Sequence, residues 1–131
     1  MAPSTSSTGL SRRTAAALAY SGWWVTGAIF WFVERRDPFV RFHAAQAVVV
    51  FGLAAFLIVV FAGLAVASLA FLPATFGFFV VAATITWMAA VVLWGIAMWK
   101  AAGGELWRVP IAAGWAERLS ARLTAWAPAS A

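Results

Sequence analysis

His43 is the single histidine of the chain, and Gln46 follows it three residues later. On a helix, at about 100° per residue, Phe39, His43 and Gln46 share one face while Arg41 points nearly opposite. An imidazole in that position could relay a proton or act as an axial ligand to a haem or a metal-centred pigment. It could instead join Gln46 in hydrogen bonds to neighbouring helix ends or to the C-terminal tail, worth about 1 kcal/mol each. Contact with a lipid headgroup is a third use. One histidine without partners makes a weak ligand set, so the hydrogen-bonding use is favoured, and no cofactor or metal is expected. The remaining ionisable chemistry is sparse. Glu34, Asp37, Glu105 and Glu117 are the four acids, and there is no cysteine, which excludes thiol chemistry and Cys-ligated zinc or iron–sulfur sites. No acid/base pair, activated nucleophile or metal cluster can be assembled from this set, so a non-enzymatic protein is expected.

The elements that must hold these residues follow from composition. The chain has 131 residues, 65% hydrophobic and 10% charged, far from the roughly 45–50% apolar and about 25% charged profile of a soluble domain. Charges fall in three zones: Arg12 and Arg13; Glu34 to Arg41; and Lys100 to Arg122. Between them lie 20 uncharged residues (14–33) and 58 more (42–99). A membrane-spanning helix needs about 20 apolar residues. Pro73 is the one proline inside the longer stretch, and it divides that stretch into two helices. The expectation is an all-α integral membrane protein with three transmembrane helices, about 14–33, 44–71 and 75–99. Asp37-Pro38 supplies an N-cap and a first helical residue, so the second helix starts at the interface, with Arg41 reaching to phosphate.

Around this frame the expected organisation is a disordered Ser/Thr-rich tail over 1–13, a membrane domain over 14–104 and a cytoplasmic tail over 105–131. Within the tail Trp115 and Trp126 recur at helical spacing with Arg118 and Arg122 at the edge of that face, which reads as an amphipathic helix in the headgroup region. Trp107 and Arg108 belong to the same membrane surface. Trp23, Trp24 and Trp87 fall near the bilayer midplane, where an indole N–H wants a partner, and at least one is expected to pack between the first and third spans. Small residues, among them Gly22 in the first span and Gly63 in the second, mark candidate packing seams.

Three spans put the N-terminus and the 72–75 turn on one side, and the 34–41 loop and the tail on the other. Lysines and arginines then divide two against seven, which places the N-terminus outside and the C-terminus in the cytoplasm of a bacterial inner membrane. The net charge of +5 suits anionic headgroups on that leaflet, and no basic run or helix-turn-helix points to nucleic acid. With no reactive site, the function that remains is helix packing. The protein is expected to be an accessory or stabilising subunit of a larger membrane complex, in contact with other subunits or with itself. An oligomeric channel is the alternative.

The run Glu34-Arg35-Arg36-Asp37-Pro38-Phe39-Val40-Arg41-Phe42-His43-Ala44-Ala45-Gln46, followed at a distance by Gly104-Glu105-Leu106-Trp107-Arg108-Val109-Pro110, resembles a bacterial family of small uncharacterised membrane proteins. That family is distantly related to the chloroplast inner-envelope protein-import component of the Tic type. The resemblance covers roughly Ala17 to Leu119. It implies an all-helical membrane domain without known enzymatic activity and, by analogy, a part in protein translocation.

Overall fold

The computed structural model describes residues 6–109 together with 114, 118, 121 and 122. Helix α1 runs Arg12–Ser21, α2 Trp23–Val33, α3 Pro38–Phe71 and α4 Phe76–Ala102, with one 3₁₀ turn at Pro73–Thr75 before α4. Two stretches are long and apolar enough to cross a membrane, Pro38–Phe71 and Pro73–Ala102. At 1.5 Å per residue α3 is about 51 Å long and α4 about 40 Å, both beyond the roughly 30 Å hydrocarbon core.

The expected first span, 14–33, is not one helix. The chain reverses at Gly22-Trp23, where Trp23 adopts a left-handed φ of 58°. α1 and α2 therefore form a hairpin of two half-length helices, each about 15 Å. Its open end is closed by an ion pair from Arg12 Nε to Asp37 at 3.3 Å, a contact impossible across a straight helix of that length. The hairpin tip has to satisfy its own backbone groups, because an apolar medium offers them no water. Thr26 does much of this: its hydroxyl donates to the Ala19 carbonyl at 3.1 Å and accepts from Gly22 N–H at 2.8 Å. The Trp94 indole, from α4, donates to the Tyr20 carbonyl at 2.8 Å. Trp23 packs its ring against Phe51, with centroids 5.8 Å apart.

This reversal changes the topology. Residues 6–13, the 34–37 loop, the start of α3 and the residues after α4 all gather at one end, and the turn at 72–75 stands at the other. The arrangement drawn from three crossings, with the N-terminal and C-terminal sides across the membrane from each other, requires a straight first span, and residues 14–33 do not form one. Ser6 to Ser11, expected within a disordered tail, are folded onto the loop: Ser7 donates through its backbone N–H and its hydroxyl to Glu34.

α3 starts as its sequence dictates. The Asp37 side chain accepts from Phe39 N–H at 2.9 Å, and Pro38 occupies the first turn. α4 ends in a Schellman motif, with Glu105 N–H on the Lys100 carbonyl and Gly104 N–H on that of Ala101, both 3.0 Å. Gly104 takes a φ of 79°, which a glycine adopts without steric penalty. The apolar core lies in the half of the molecule near this end. Ala15, Ala16 and Tyr20 of α1, Phe39, Val40, Ala47 and Phe51 of α3, and Ala90, Ala97 and Ala101 of α4 are buried together. Beyond Phe51 and before Ala90 only Ala65 and Ser68 are buried, and Ser68 turns its hydroxyl back to the Ala65 carbonyl.

Candidate functional site

Of the six buried polar residues among those described, five (Ser6, Glu34, Asp37, His43 and Gln46) sit at the end where the loop and both flanking segments meet. Two clusters form there. In the first, α1 contributes Tyr20, α3 contributes His43 and Gln46, and the segment after α4 contributes backbone. The Glu105 carbonyl can only accept, so His43 Nε2 carries the proton and donates to it across 3.1 Å. Nδ1 is then an acceptor, and the Tyr20 hydroxyl donates to it at 2.9 Å. Tyr20 Oη in turn accepts from Gln46 Nε2 at 3.1 Å. The Gln46 amide also donates to the Trp107 carbonyl at 3.2 Å and accepts from Val109 N–H at 3.2 Å. Phe39, Phe42 and Tyr20 set their rings edge-on to the imidazole, with centroids 4.6, 5.6 and 5.7 Å away.

Each functional atom of the three side chains has a partner, and no charge is needed anywhere in the set. A neutral, fully paired network in a low-dielectric interior is rigid and stabilising. Its chemical effect is to clamp the segment 105–109 onto α1 and α3. Axial ligation of a metal by His43 does not fit this geometry, because both ring nitrogens are already engaged and the ring is walled in by aromatics.

The second cluster surrounds Glu34. Burial would raise its pKa, but hydrogen bonds from the Ser7 hydroxyl and from the backbone N–H groups of Arg36, Asp37 and Ser7 outweigh it, so the net shift is downward. The carboxylate thus draws the loop around itself, with Arg36 and Asp37 N–H at 3.0 and 3.2 Å. Asp37 is held between Phe39 N–H and Arg12, whose guanidinium also stacks 4.5 Å from the centre of the Phe39 ring. Lys100 pairs with Glu105 at 2.7 Å on the exposed rim.

The other residues singled out from the sequence are dispersed. Arg41 is half-buried on the opposite face of α3 from His43. Gly22 lies at the exposed hairpin tip, and Gly63 has nothing within 4 Å of where a side chain would start. Trp23 reaches Phe51 on α3, the second expected span, while Trp24 and Trp87 are about half exposed. The tryptophan joining the first and third expected spans is Trp94. Trp107 is half-buried and packs on the core, whereas Arg108 is exposed. Gly114, Arg118, Ala121 and Arg122 are helical and exposed; Trp115, Trp126 and the rest of the expected amphipathic helix lie outside the described residues.

Three residues central to this arrangement escaped sequence reasoning. Tyr20 is the one tyrosine, and a phenol in an apolar stretch requires a partner, so it could have been paired with His43. Gly27 forms a tight seam between α2 and α3: a Cβ there would meet Ala47 Cβ at 2.9 Å and the Ala44 carbonyl at 3.1 Å. Glu34 lies among other charges in the loop; its partner Ser7 is 27 residues away, and no local signal announces that pairing.

Comparison with known proteins bears on these features. Two UPF0132 membrane proteins of the archaeon Methanocaldococcus jannaschii are similar to the chain. One is 34% identical over 116 residues, covering 87% of this chain and 93% of the relative. The other is 31% identical over 110 residues, covering 84% and 71%. No solved structure matches. The resemblance to a bacterial family related to the Tic-type import component is overturned by these matches, which lead to a different family with archaeal members; the translocation role drawn from it falls as well. Residues 11–116, which include the first polar cluster and all of the second but Ser7, match the family described as the magnetosome magnetite crystal formation protein family, MamF/MmsF, and the chain belongs to this family of membrane proteins.

Proposed function

We propose that the chain is a non-enzymatic membrane subunit that works through helix packing, as an accessory or stabilising member of a larger membrane assembly. The observation that carries this reading is the uncovered apolar length of α3 and α4. Phe56, Val59, Val66 and Leu69 on α3 and Phe78, Val81, Ile85 and Val92 on α4 are all exposed, on helices whose hydroxyls bond their own backbone, as Thr84 and Thr86 do. Such surfaces are compatible only with lipid or with other apolar helices. In a family described by magnetite crystal formation, the role that suits this chain is on the membrane side of the mineral. Iron in an oxide takes hard oxygen donors, and the carboxylates of Glu34 and Asp37 are occupied inside the fold.

The reading extends to orientation. Arg12, Arg13, Arg35, Arg36, Arg41, Lys100 and Arg108 belong to the end that holds residues 6–13 and 103–109, and residues 42–99, which include the 72–75 end, carry no formal charge. By the positive-inside rule that end faces the cytoplasm, with both flanking segments on the same side. Arg12 and Arg13, which oppose the rule in a three-span topology, conform to it here.

Native mass measurement after gentle detergent extraction tests the assembly role. A complex with a second membrane protein, or a defined oligomer, is expected. A stable lone monomer that recovers no partner after crosslinking in membranes overturns it, and ion flux from reconstituted vesicles replaces it with a channel.

A further inference from the structure

Two buried N–H donors lack a partner among the described residues: the indole Nε1 of Trp31 and Nε of Arg41. Helical spacing puts both on one seam. On α2 the positions that meet α3 are Trp24, whose Cβ is 3.9 Å from where a Cβ on Gly52 would stand, and Gly27, set against Ala44, Ala47 and Val48. Trp31 continues that face four residues beyond Gly27. On α3 the matching stripe is Ala44, Val48 and Gly52, and Arg41 extends it three residues before Ala44. The helices are antiparallel and joined by 34–37, so the two stripes finish side by side next to the loop.

Donors without acceptors define the ligand. Neither Arg nor Trp can accept a hydrogen bond through its side chain, and an unpaired buried donor is costly, so the group that completes the seam presents acceptor oxygens, and beside a guanidinium an oxyanion suits best. The loop's own carboxylates are committed elsewhere: Glu34 is taken up by Ser7, Arg36 and Asp37, while Asp37 Oδ1 accepts from Phe39 N–H and Oδ2, which has no hydrogen-bond partner among the described residues, is held by the Arg12 ion pair at 3.3 Å. With both carboxylates engaged, Arg35 and Arg36 add exposed positive charge at the same end. We infer that Arg41 and Trp31 form a phosphate site at the loop end of the α2–α3 seam, filled by the headgroup of a phospholipid. An interfacial tryptophan beside an arginine suits that depth in the bilayer.

The protein purified in mild detergent and exchanged into phosphatidylglycerol is to be weighed by native mass spectrometry. One retained phospholipid is expected on the wild-type protein. Trp31→Phe and Arg41→Ala each release it, with affinity falling about tenfold or more as a charge-assisted contact is lost. Arg36→Ala, which removes equal charge from the exposed loop, keeps it. Should lipid not be retained while millimolar inorganic phosphate raises the thermal midpoint of wild type but not of Arg41→Ala, the same site takes free phosphate and the headgroup assignment is overturned. Equal retention by all four proteins, or equal loss with Arg36→Ala, overturns the site itself. If Arg41→Ala fails to fold, Trp31→Phe, which preserves the bulk of an aromatic ring, decides alone. The assembly role proposed above is independent of this outcome, since a subunit can lose its lipid and keep its partner.

Discussion

Gln46 makes three hydrogen bonds that tie α3 to Tyr20 and to the backbone of Trp107 and Val109. Replacing it by Leu keeps the volume but leaves a buried carbonyl and a buried N–H unpaired, at about 1–3 kcal/mol for each group. Gln46→Leu is therefore expected to lower the thermal midpoint in detergent and to make the segment after α4 accessible to protease, whereas loss of stability without new cleavage would argue against the clamp. A second outcome concerns Glu34. Its carboxylate is stabilised in the folded state, so its folded pKa lies below the unfolded value of about 4.3. A lowered pKa contributes stability that is present above the unfolded value and is lost as pH falls through the folded one. Unfolding followed between about pH 3 and 6 should show stability declining on the acid side, and Glu34→Gln should flatten that decline; an identical pH profile for the variant would remove the role assigned to this residue. Of these groups, His43 and Gln46 stand out in the sequence because polar residues at helical spacing share a face. Tyr20 and Glu34 do not, because their partners are brought near only by the chain reversal at Gly22.

Helix contacts here are decided by which glycines are covered. Gly27→Ala would press a methyl group into the Ala44 carbonyl and Ala47 of α3, forcing the backbones apart. Overpacking of this kind costs about 1–3 kcal/mol, measurable as a drop in the detergent unfolding midpoint. Gly63→Ala meets open space and removes a helix-weakening glycine, so for the isolated chain it should be neutral or stabilising by up to about 1 kcal/mol. If Gly63→Ala instead breaks an oligomer in membranes, its surface is an interface between chains. The spacing of small residues marked Gly63 and missed Gly27, because it cannot distinguish a seam within the chain from a surface outside it. The same uncertainty explains the first expected span. Twenty uncharged residues satisfy the length criterion for a crossing equally well whether they run straight or fold at the midpoint. Nothing in the composition of Ser21-Gly22-Trp23 forces a reversal; Thr26 and Trp94 make it stable by satisfying the backbone at the tip.

At the level of the whole molecule, the fold is a long two-helix hairpin with a short one packed against its polar half. Because the chain has no cysteine, single substitutions report its topology cleanly. Leu10→Cys, Arg35→Cys and Leu106→Cys should react with a membrane-impermeant reagent from one side of the membrane, and Ala74→Cys from the other. Labelling of position 10 from the same side as position 74 would restore a three-crossing arrangement and discard the hairpin. Charge placement, the apolar stretches, the break at Pro73 and the Asp37-Pro38 helix start were all determined by the sequence alone. They rest on local physics: burying a charge in hydrocarbon is expensive, proline lacks an N–H, and an aspartate side chain can accept from the first free N–H groups of a helix. Tertiary structure alone decided that 14–33 doubles back, that both flanking segments share one end, and that Glu34 is an internal anchor. Those outcomes depend on hydrogen bonds between residues 23 to 74 positions apart, whose partners no local pattern can specify.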